Sequence, residues 1–306
     1  MEFYNPKYYS DALEILDRSS DSMVICAGLT HLLRFYQDFP SSLEAKPESI
    51  LHIGDVQGFS ELKEENSKFV IGATTRICDI EKDPFVGQFG AAIWDAAHHT
   101  STPQIRNRRS LGGELAWGSF HSGLIASLMA YDAELRIRRA VGDHELAKED
   151  NMDLCSFYQG LLERKNSSNV VLKCRKTILR PRDLILKVAI GTDQFRRPGS
   201  FSFFRMLTPK ISTENPGVVV AVKGVSQNGM LVNAQFVASG VWMSTVKESI
   251  PLEGTKLKPG IFFEKLYHFC DRYSFESERL SGPSPRQLSL IVFGLLKEGF
   301  FQLIGN

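Results

Sequence analysis

The residues best able to do chemistry lie in two short glycine-bearing segments, Ala27-Gly28-Leu29-Thr30-His31 and Ser110-Leu111-Gly112-Gly113-Glu114. The first follows an apolar run, Met23-Val24-Ile25-Cys26, and precedes Leu32, Leu33, Phe35 and Tyr36. That pattern predicts strand, turn, helix. Such a turn aims unpaired backbone N–H groups at one spot, and the helix dipole adds partial positive charge there. Gly28 would let the chain approach a ligand with no Cβ in the way, and Thr30 adds a hydroxyl. The chemistry on offer is pyrophosphate binding. In the second segment, paired glycines allow the same approach, and Arg106, Arg108 and Arg109 upstream offer charge. Each feature also has an ordinary reading, as a simple turn or a solvated basic loop. Neither segment is a GxGxxG fingerprint or a P-loop. Set about eighty residues apart, they would suit a dinucleotide-type diphosphate gripped from two sides.

Other sources of redox or metal chemistry are scarce. The five cysteines (Cys26, Cys78, Cys155, Cys174 and Cys270) include no C-x-x-C pair, so neither a disulfide framework nor a zinc or iron–sulfur site is expected. His98 and His99 are adjacent, which on a helix turns them apart; they read as a helix end, not a metal site. Redox work here would need a bound organic cofactor. The net charge of +1 gives no polyanion-binding signature, so nucleic acid and membrane surfaces are not expected partners. The apolar run Leu288 to Phe293 falls short of a bilayer span. Behind Met1-Glu2-Phe3-Tyr4-Asn5-Pro6 there is no basic and then apolar stretch, so no secretory signal is expected and the cytoplasm is the default.

Several elements must position these segments. Ser10 is placed to cap a helix carrying Leu13, Ile15 and Leu16. Ile50 to Ile53, Phe69 to Ile71 and Leu135 to Ile137 read as strands. Phe89, Ile93, Ala96 and Ala97, then Leu124, Ile125, Leu128 and Met129, recur at helical spacing. After an unclear stretch over 140–180 with an exposed loop at Lys165-Asn166-Ser167-Ser168, the character changes. Leu184 to Ile190, Phe201 to Leu207, Gly217 to Val225 and Met230 to Ser239 read as strands, the last two joined by a Gln227-Asn228-Gly229 hairpin. A long apolar helix through Leu288, Ile291, Val292, Leu295, Leu296 and Phe300 follows. The expected fold class is α+β in two domains: residues 1–172 built from two α/β subdomains, then 173–306 as an antiparallel sheet with helices.

The order of these segments resembles the FAD-binding medium subunit of molybdenum hydroxylases, the xanthine dehydrogenase and carbon monoxide dehydrogenase family. That family carries an Ala-Gly-Gly-Thr type loop, an Ile-Gly-Ala strand end and an Ile-Arg-Asn followed by Thr-Ile-Gly-Gly-Asn. This chain has Ala27-Gly28-Leu29-Thr30, Ile71-Gly72-Ala73 and Ile105-Arg106-Asn107, then Ser110-Leu111-Gly112-Gly113. Leu128-Met129-Ala130-Tyr131-Asp132-Ala133, Arg175 to Pro181, Phe203-Phe204-Arg205, Ala238-Ser239-Gly240-Val241 and Leu252-Glu253-Gly254 continue the likeness across nearly the whole chain. The resemblance implies an FAD-binding domain of the PCMH, vanillyl-alcohol-oxidase-like type. It implies one non-covalent FAD that receives electrons from 2Fe–2S clusters on a small partner subunit and passes them to NAD or another acceptor. The organic substrate would be oxidised at molybdopterin on a large partner subunit. By position, Ala27, Gly28, Leu29, Thr30 and His31 together with Ser110, Leu111, Gly112, Gly113 and Glu114 would line the diphosphate and ribityl part, and Thr100, Ile185 and Arg205 fall where the family also touches FAD.

The chain departs from the pattern in four places. Leu29 replaces the second glycine of the first loop, Glu114 an Asn or Asp, Gly123 an FAD-contacting Asp, and Thr208-Pro209 downstream arginines. A carboxylate ~4 Å from a diphosphate costs about 4 kcal/mol at an effective dielectric near 20. Glu114 is therefore expected either to turn away and accept a hydrogen bond from a ribose or ribityl hydroxyl, or to weaken flavin binding; Leu29 and Gly123 agree with the second, in which Glu114→Asn tightens it. Two other readings use the same residues: a scaffold that keeps the fold but binds FAD weakly or not at all, and a stand-alone flavoenzyme.

Overall fold

The computed structural model describes residues 2–33, 47–140, 148–159, 162–166, 169–172, 176–208, 217–240, 245–272 and 284–304. Phe35, Tyr36, Cys174, Ser167, Ser168, Arg175, Pro209 and Val241, used in the reading above, lie outside these. Glu2–Tyr4, Ser49–His52 and Met23–Cys26 form a small parallel sheet with Ser49–His52 in the middle. Helix Tyr9–Arg18 covers it, burying Ala12 and Leu16 against Met23, Leu51 and Ile53. Ser10 does not cap this helix. It lies inside the first turn, and Tyr8 stands at the N-cap with no side-chain bond.

A five-stranded antiparallel sheet follows, ordered Leu62–Glu65, Lys68–Gly72, Leu184–Gly191, Glu134–Arg138, Glu149–Asp153. Its central strand is Leu184–Gly191, which was expected to lie past a boundary at 172. The reason is visible in its pattern: Leu184, Ile185, Leu186, Val188 and Ile190 are all buried, and a strand apolar on both parities needs neighbours and cover on both sides. Conversely, strands Leu162–Asn166 and Asn169–Leu172 pair at the edge of the second sheet. The chain thus crosses between the sheets more than once.

The second sheet has six strands, ordered Ser200–Leu207, Val218–Gln227, Met230–Ser239, Thr245–Ser249, Asn169–Leu172, Leu162–Asn166. Strand Val218–Gln227 is buried along most of its length because both faces are covered. Val219 and Ala221 join the core that holds helices Ala91–His98 and Gly123–Ala130; Val218, Val220 and Val222 join a second core under helices Pro259–Arg272 and Pro285–Ile304. Side chains alternate across a strand, so one valine-rich strand serves two cores. Each fully buried Val contributes about 1.5–3 kcal/mol. Asn228 and Gly229 both take positive φ, 51° and 71°, which is what the predicted two-residue hairpin turn requires. The predicted helix through Phe89 to Ala97 is broken at Gly90 into Pro84–Phe89 and Ala91–His98.

The C-terminal helix over Arg286–Ile304 is, by length and composition, long and apolar enough to cross a membrane, which the short run read above did not reveal. In the fold it is a core helix: Leu288, Val292, Leu296 and Phe300 are buried in the second core.

Candidate functional site

Strand Met23–Cys26 ends beside the start of helix Leu111–Trp117, and the two predicted loops meet there. Their contact is tight. An ideal Cβ on Gly28 would stand 1.9 Å from the Arg108 carbonyl oxygen. Gly28 is therefore required by the second loop's backbone, whereas ligand approach was the expectation. Arg109 Nε donates to Thr30 Oγ1 at 3.4 Å, and His31 Nε2 donates to Glu114 Oε2 at 3.0 Å. Leu29, where a glycine was expected, has φ of 60°, so the backbone keeps a left-handed form that costs a leucine about 1–3 kcal/mol.

The second loop hangs on the end of strand Lys68–Gly72. Gly112 N–H donates to Ala73 O, Leu111 N–H to Thr75 O, and Ile77 N–H to Arg109 O. Gly112 is needed here as well, since a Cβ would meet Ala73 at 2.9 Å. Ser110 caps the helix through Gly113 N–H, and Glu114 N–H reaches Ser110 O. The first four N–H groups of this helix are thus spent within the protein. The first loop differs. The N–H groups of Gly28, Leu29, Thr30 and His31 have no acceptor among the described residues. Of the two loops, the first is the one with donors free for an anion.

Of the three arginines, Arg109 alone faces the first loop. Arg106 is buried against Glu81, with Nε donating at 2.9 Å, and Arg108 is exposed. Glu114 is only 2% exposed. Its carboxylate turns toward His31 and Arg109, the latter at 3.5 Å, and lines neither cavity described below. Burial alone would raise its pKa. The hydrogen bond from His31, the charges of Arg109 and His31, and a hydrogen bond from Ser122 outweigh burial and hold it at about 2. The carboxylate is turned from the cleft, and the partners it has include His31 and Arg109, where a ribose or ribityl hydroxyl was the expectation.

Two adjoining cavities flank the loops, of about 200 and 250 Å³. Ile25, Cys26, Ala27, Ser110, Gly113 and Ala116 form the wall they share. A Cβ on Gly113 would meet only Ser110 Oγ, at 3.0 Å, so this glycine borders open space. The larger cavity is a mostly apolar slot between Ile25, Ile53, Ala73, Leu184 and Ile185, with Arg180, Arg182 and Asp183 also on its lining. The smaller ends on Trp117, 45% exposed, whose ring stacks on His31 with centroids 5.0 Å apart. Ala116 and Trp117 were not singled out in the sequence, although they lie at i+3 and i+4 from Gly113 on one helix face. His52, also passed over, bonds the Ala27 carbonyl oxygen through Nε2 at 2.9 Å.

The structure therefore brings Ala27, Gly28, Leu29, Thr30, His31, Ser110, Gly112, Gly113 and Ile185 around one cleft. Leu111 is fully buried in the core. Thr100 and Arg205 line neither cavity; Thr100 bonds Ala96 O, and Arg205 pairs with Asp95 at 3.7 Å and Glu298 at 3.2 Å. Gly123 borders the ring of Phe204, which would stand 2.5 Å from an added Cβ. The space an Asp side chain would use there is filled by an aromatic ring. Among the described residues no group of histidine, cysteine and acidic side chains could hold a metal ion.

For an FAD-sized ligand the donor chemistry fits in one half. Four free N–H groups and Arg109 suit a diphosphate, and the apolar slot beside them suits a planar base. A protein-family model described as the FAD binding domain in molybdopterin dehydrogenase matches residues 1–192. The nicotinate dehydrogenase FAD-subunit of Eubacterium barkeri is 27% identical over 153 residues, covering 50% of each chain. The carbon monoxide dehydrogenase medium chain of Hydrogenophaga pseudoflava is 30% identical over 118 residues, 38% of this chain and 39% of that one. The matches span half or less of the length of these curated relatives. Among solved structures, a Cu,Mo-CO dehydrogenase chain superposes with a TM-score of 0.77 at 18% identity, covering 100% of this chain and 98% of that one. A quinoline 2-oxidoreductase chain from Pseudomonas putida 86 gives 0.78 at 16%, covering 100% and 97%. At such identities the superpositions speak for the fold alone.

Proposed function

The chain belongs to the family of FAD binding domains in molybdopterin dehydrogenases, and from that premise we propose that it is the FAD-binding electron-transfer subunit of a molybdenum hydroxylase. The observation that carries this is the meeting of the two loops: free N–H groups over 28–31, the Arg109 guanidinium beside them, and an apolar slot next door. Gly28 to His31 would hold the diphosphate, Arg109 would neutralise it, and Ile25, Ile53 and Ile185 would pack on the adenine. Glu114 keeps Arg109 and His31 in place from behind. Bound FAD would supply the electron-carrying chemistry between partner iron–sulfur centres and NAD or another acceptor. The partners are a 2Fe–2S small subunit and a molybdopterin-binding large subunit, working in the cytoplasm. The small parallel sheet set beside a five-stranded antiparallel one supports the vanillyl-alcohol-oxidase-like arrangement.

The test is activity of the isolated chain supplied with FAD. It should pass electrons from NADH to a dye and oxidise no purine or aldehyde. Substrate oxidation without partner chains would move the assignment to a stand-alone flavoenzyme. A scaffold reading draws on two observations: the spent N–H groups of helix Leu111–Trp117 and the Phe204 ring beside Gly123. A chain that takes up no FAD would put that reading first.

A further inference from the structure

Strand Val218–Gln227 has one charged residue in its buried stretch, Lys223, which is 6% exposed. The parity that sends Val219 and Ala221 toward the first core sends Lys223 the same way, with its ammonium 5.6 Å from the Tyr131 ring centroid. Its hydrogen-bond acceptors are neutral: Ser200 Oγ, and the Gly224 carbonyl oxygen at 3.3 Å. No carboxylate among the described residues pairs with it. A buried charge without a counter-ion is costly, and native proteins rarely keep one.

Lys223 lines a cavity of about 190 Å³ between Asp132, the short helix Thr192–Arg196 and the six-stranded sheet. Arg197 lines the same cavity, and its side chain makes no hydrogen bond or ion pair with a described residue. Gln194 and Asn233 add side-chain amides, each able to donate. Two acids also face the space. Asp132 is already engaged by Gln235 Nε2 at 3.0 Å and by Lys247, and Asp193 is exposed. No residue of the two glycine loops lines this cavity.

We propose that this cavity is a binding site for a small carboxylate anion, held by Lys223 and Arg197 with the Gln194 and Asn233 amides completing its hydrogen bonds. Neither cation has a carboxylate at ion-pair distance among the described residues, and an anion in the cavity they line would lie beside both. With two cations and two acids around the cavity, attraction and repulsion largely offset, and the greater hydration that a dianion must give up favours a singly charged carboxylate over phosphate. Burial, then the charge of Arg197, lower the Lys223 pKa to about 8, against the opposing charges of Asp193 and Asp132. A bound anion favours the charged ammonium, so binding above that pH should take up a proton. The site is independent of flavin, and its failure would leave the proposed function untouched.

The experiment is calorimetric titration of the full chain with acetate, and separately with inorganic phosphate, at ionic strength balanced with chloride. Acetate should bind saturably, one per chain, and more tightly than phosphate. Arg197→Gln, at the exposed rim, should weaken it about tenfold or more. Near pH 9, two buffers of different ionisation heat should reveal proton uptake in the wild type and none in Lys223→Met, whose folding circular dichroism would check. Absent saturable acetate binding, affinity unchanged in Arg197→Gln, or tighter binding of phosphate would each overturn the assignment.

Discussion

Replacing Glu114 with glutamine removes one charge from the knot that ties the two loops together. The shift of its pKa from 4.5 to about 2 corresponds to ~3 kcal/mol of stability at neutral pH. Removing one partner of a buried ion pair costs ~3–5 kcal/mol in general. His31 and Arg109 keep some contact with water, with side chains 19% and 14% exposed, so a loss of about 2–3 kcal/mol is expected. That is about 5–10 °C in the melting temperature of the unit concerned. The pH dependence has a defined sign. The folded-state value lies below the unfolded one, so the contribution is complete above about pH 4.5 and drains away as pH falls through about 2. Urea unfolding of wild type and Glu114→Gln near pH 7 and again near pH 2.5 measures it. The gap should shrink at the lower pH. The mutant should also bind FAD more weakly, because Arg109 loses its anchor. The repulsion argument predicted the reverse for removing this charge, and the observed turn of the carboxylate away from the cleft reverses it. A stability loss under about 0.5 kcal/mol, a gap that does not change with pH, or tighter FAD binding would refute this account of Glu114.

Three further outcomes follow from the glycines and one aromatic ring. Gly28→Ala should cost about 3 kcal/mol by thermal denaturation, because its Cβ would overlap the Arg108 carbonyl; flavin loss in that variant is secondary to loop separation. Gly113→Ala should keep or slightly raise stability, by up to ~1 kcal/mol as a helical Gly-to-Ala change, while Gly113→Val should fill the shared wall of the cavities and weaken FAD binding in a fluorescence titration. Gly123→Ala should destabilise through Phe204, and Gly123→Ala with Phe204→Leu should recover part of the loss in a double-mutant cycle.

Much of this was legible in the sequence where local pattern and tertiary role coincide. The strand–glycine–helix signature at Met23 to Leu33 and the Asn228-Gly229 turn needed no distant partner to be read. Strand Leu184–Gly191 was legible as a strand but was grouped with the strands of the second sheet, because apolar residues on both parities say that two neighbours exist and not which ones. The hairpin at Asn66-Ser67 was missed: both residues take positive φ, 50° and 59°, with no glycine to mark the turn. In the site, residue types picked out two loops that meet in the fold, but read their glycines as room for a ligand where the structure shows room for backbone. Gly28 and Gly112 make room for backbone 80-odd and about 40 residues away along the chain, and nothing local announces such a contact. Lys223 was invisible for the same reason, since a lysine in a valine-rich strand gains its meaning from Arg197 and the cavity they share.

The most direct test of the central claim is equilibrium titration of the apoprotein with FAD, read by visible absorption and by the heat-released supernatant, for wild type beside Gly113→Val. The account predicts one releasable FAD per wild-type chain and weaker binding in a variant that is still folded. A wild-type protein that stays colourless in excess FAD, or a Gly113→Val variant that binds as well as wild type, would contradict it.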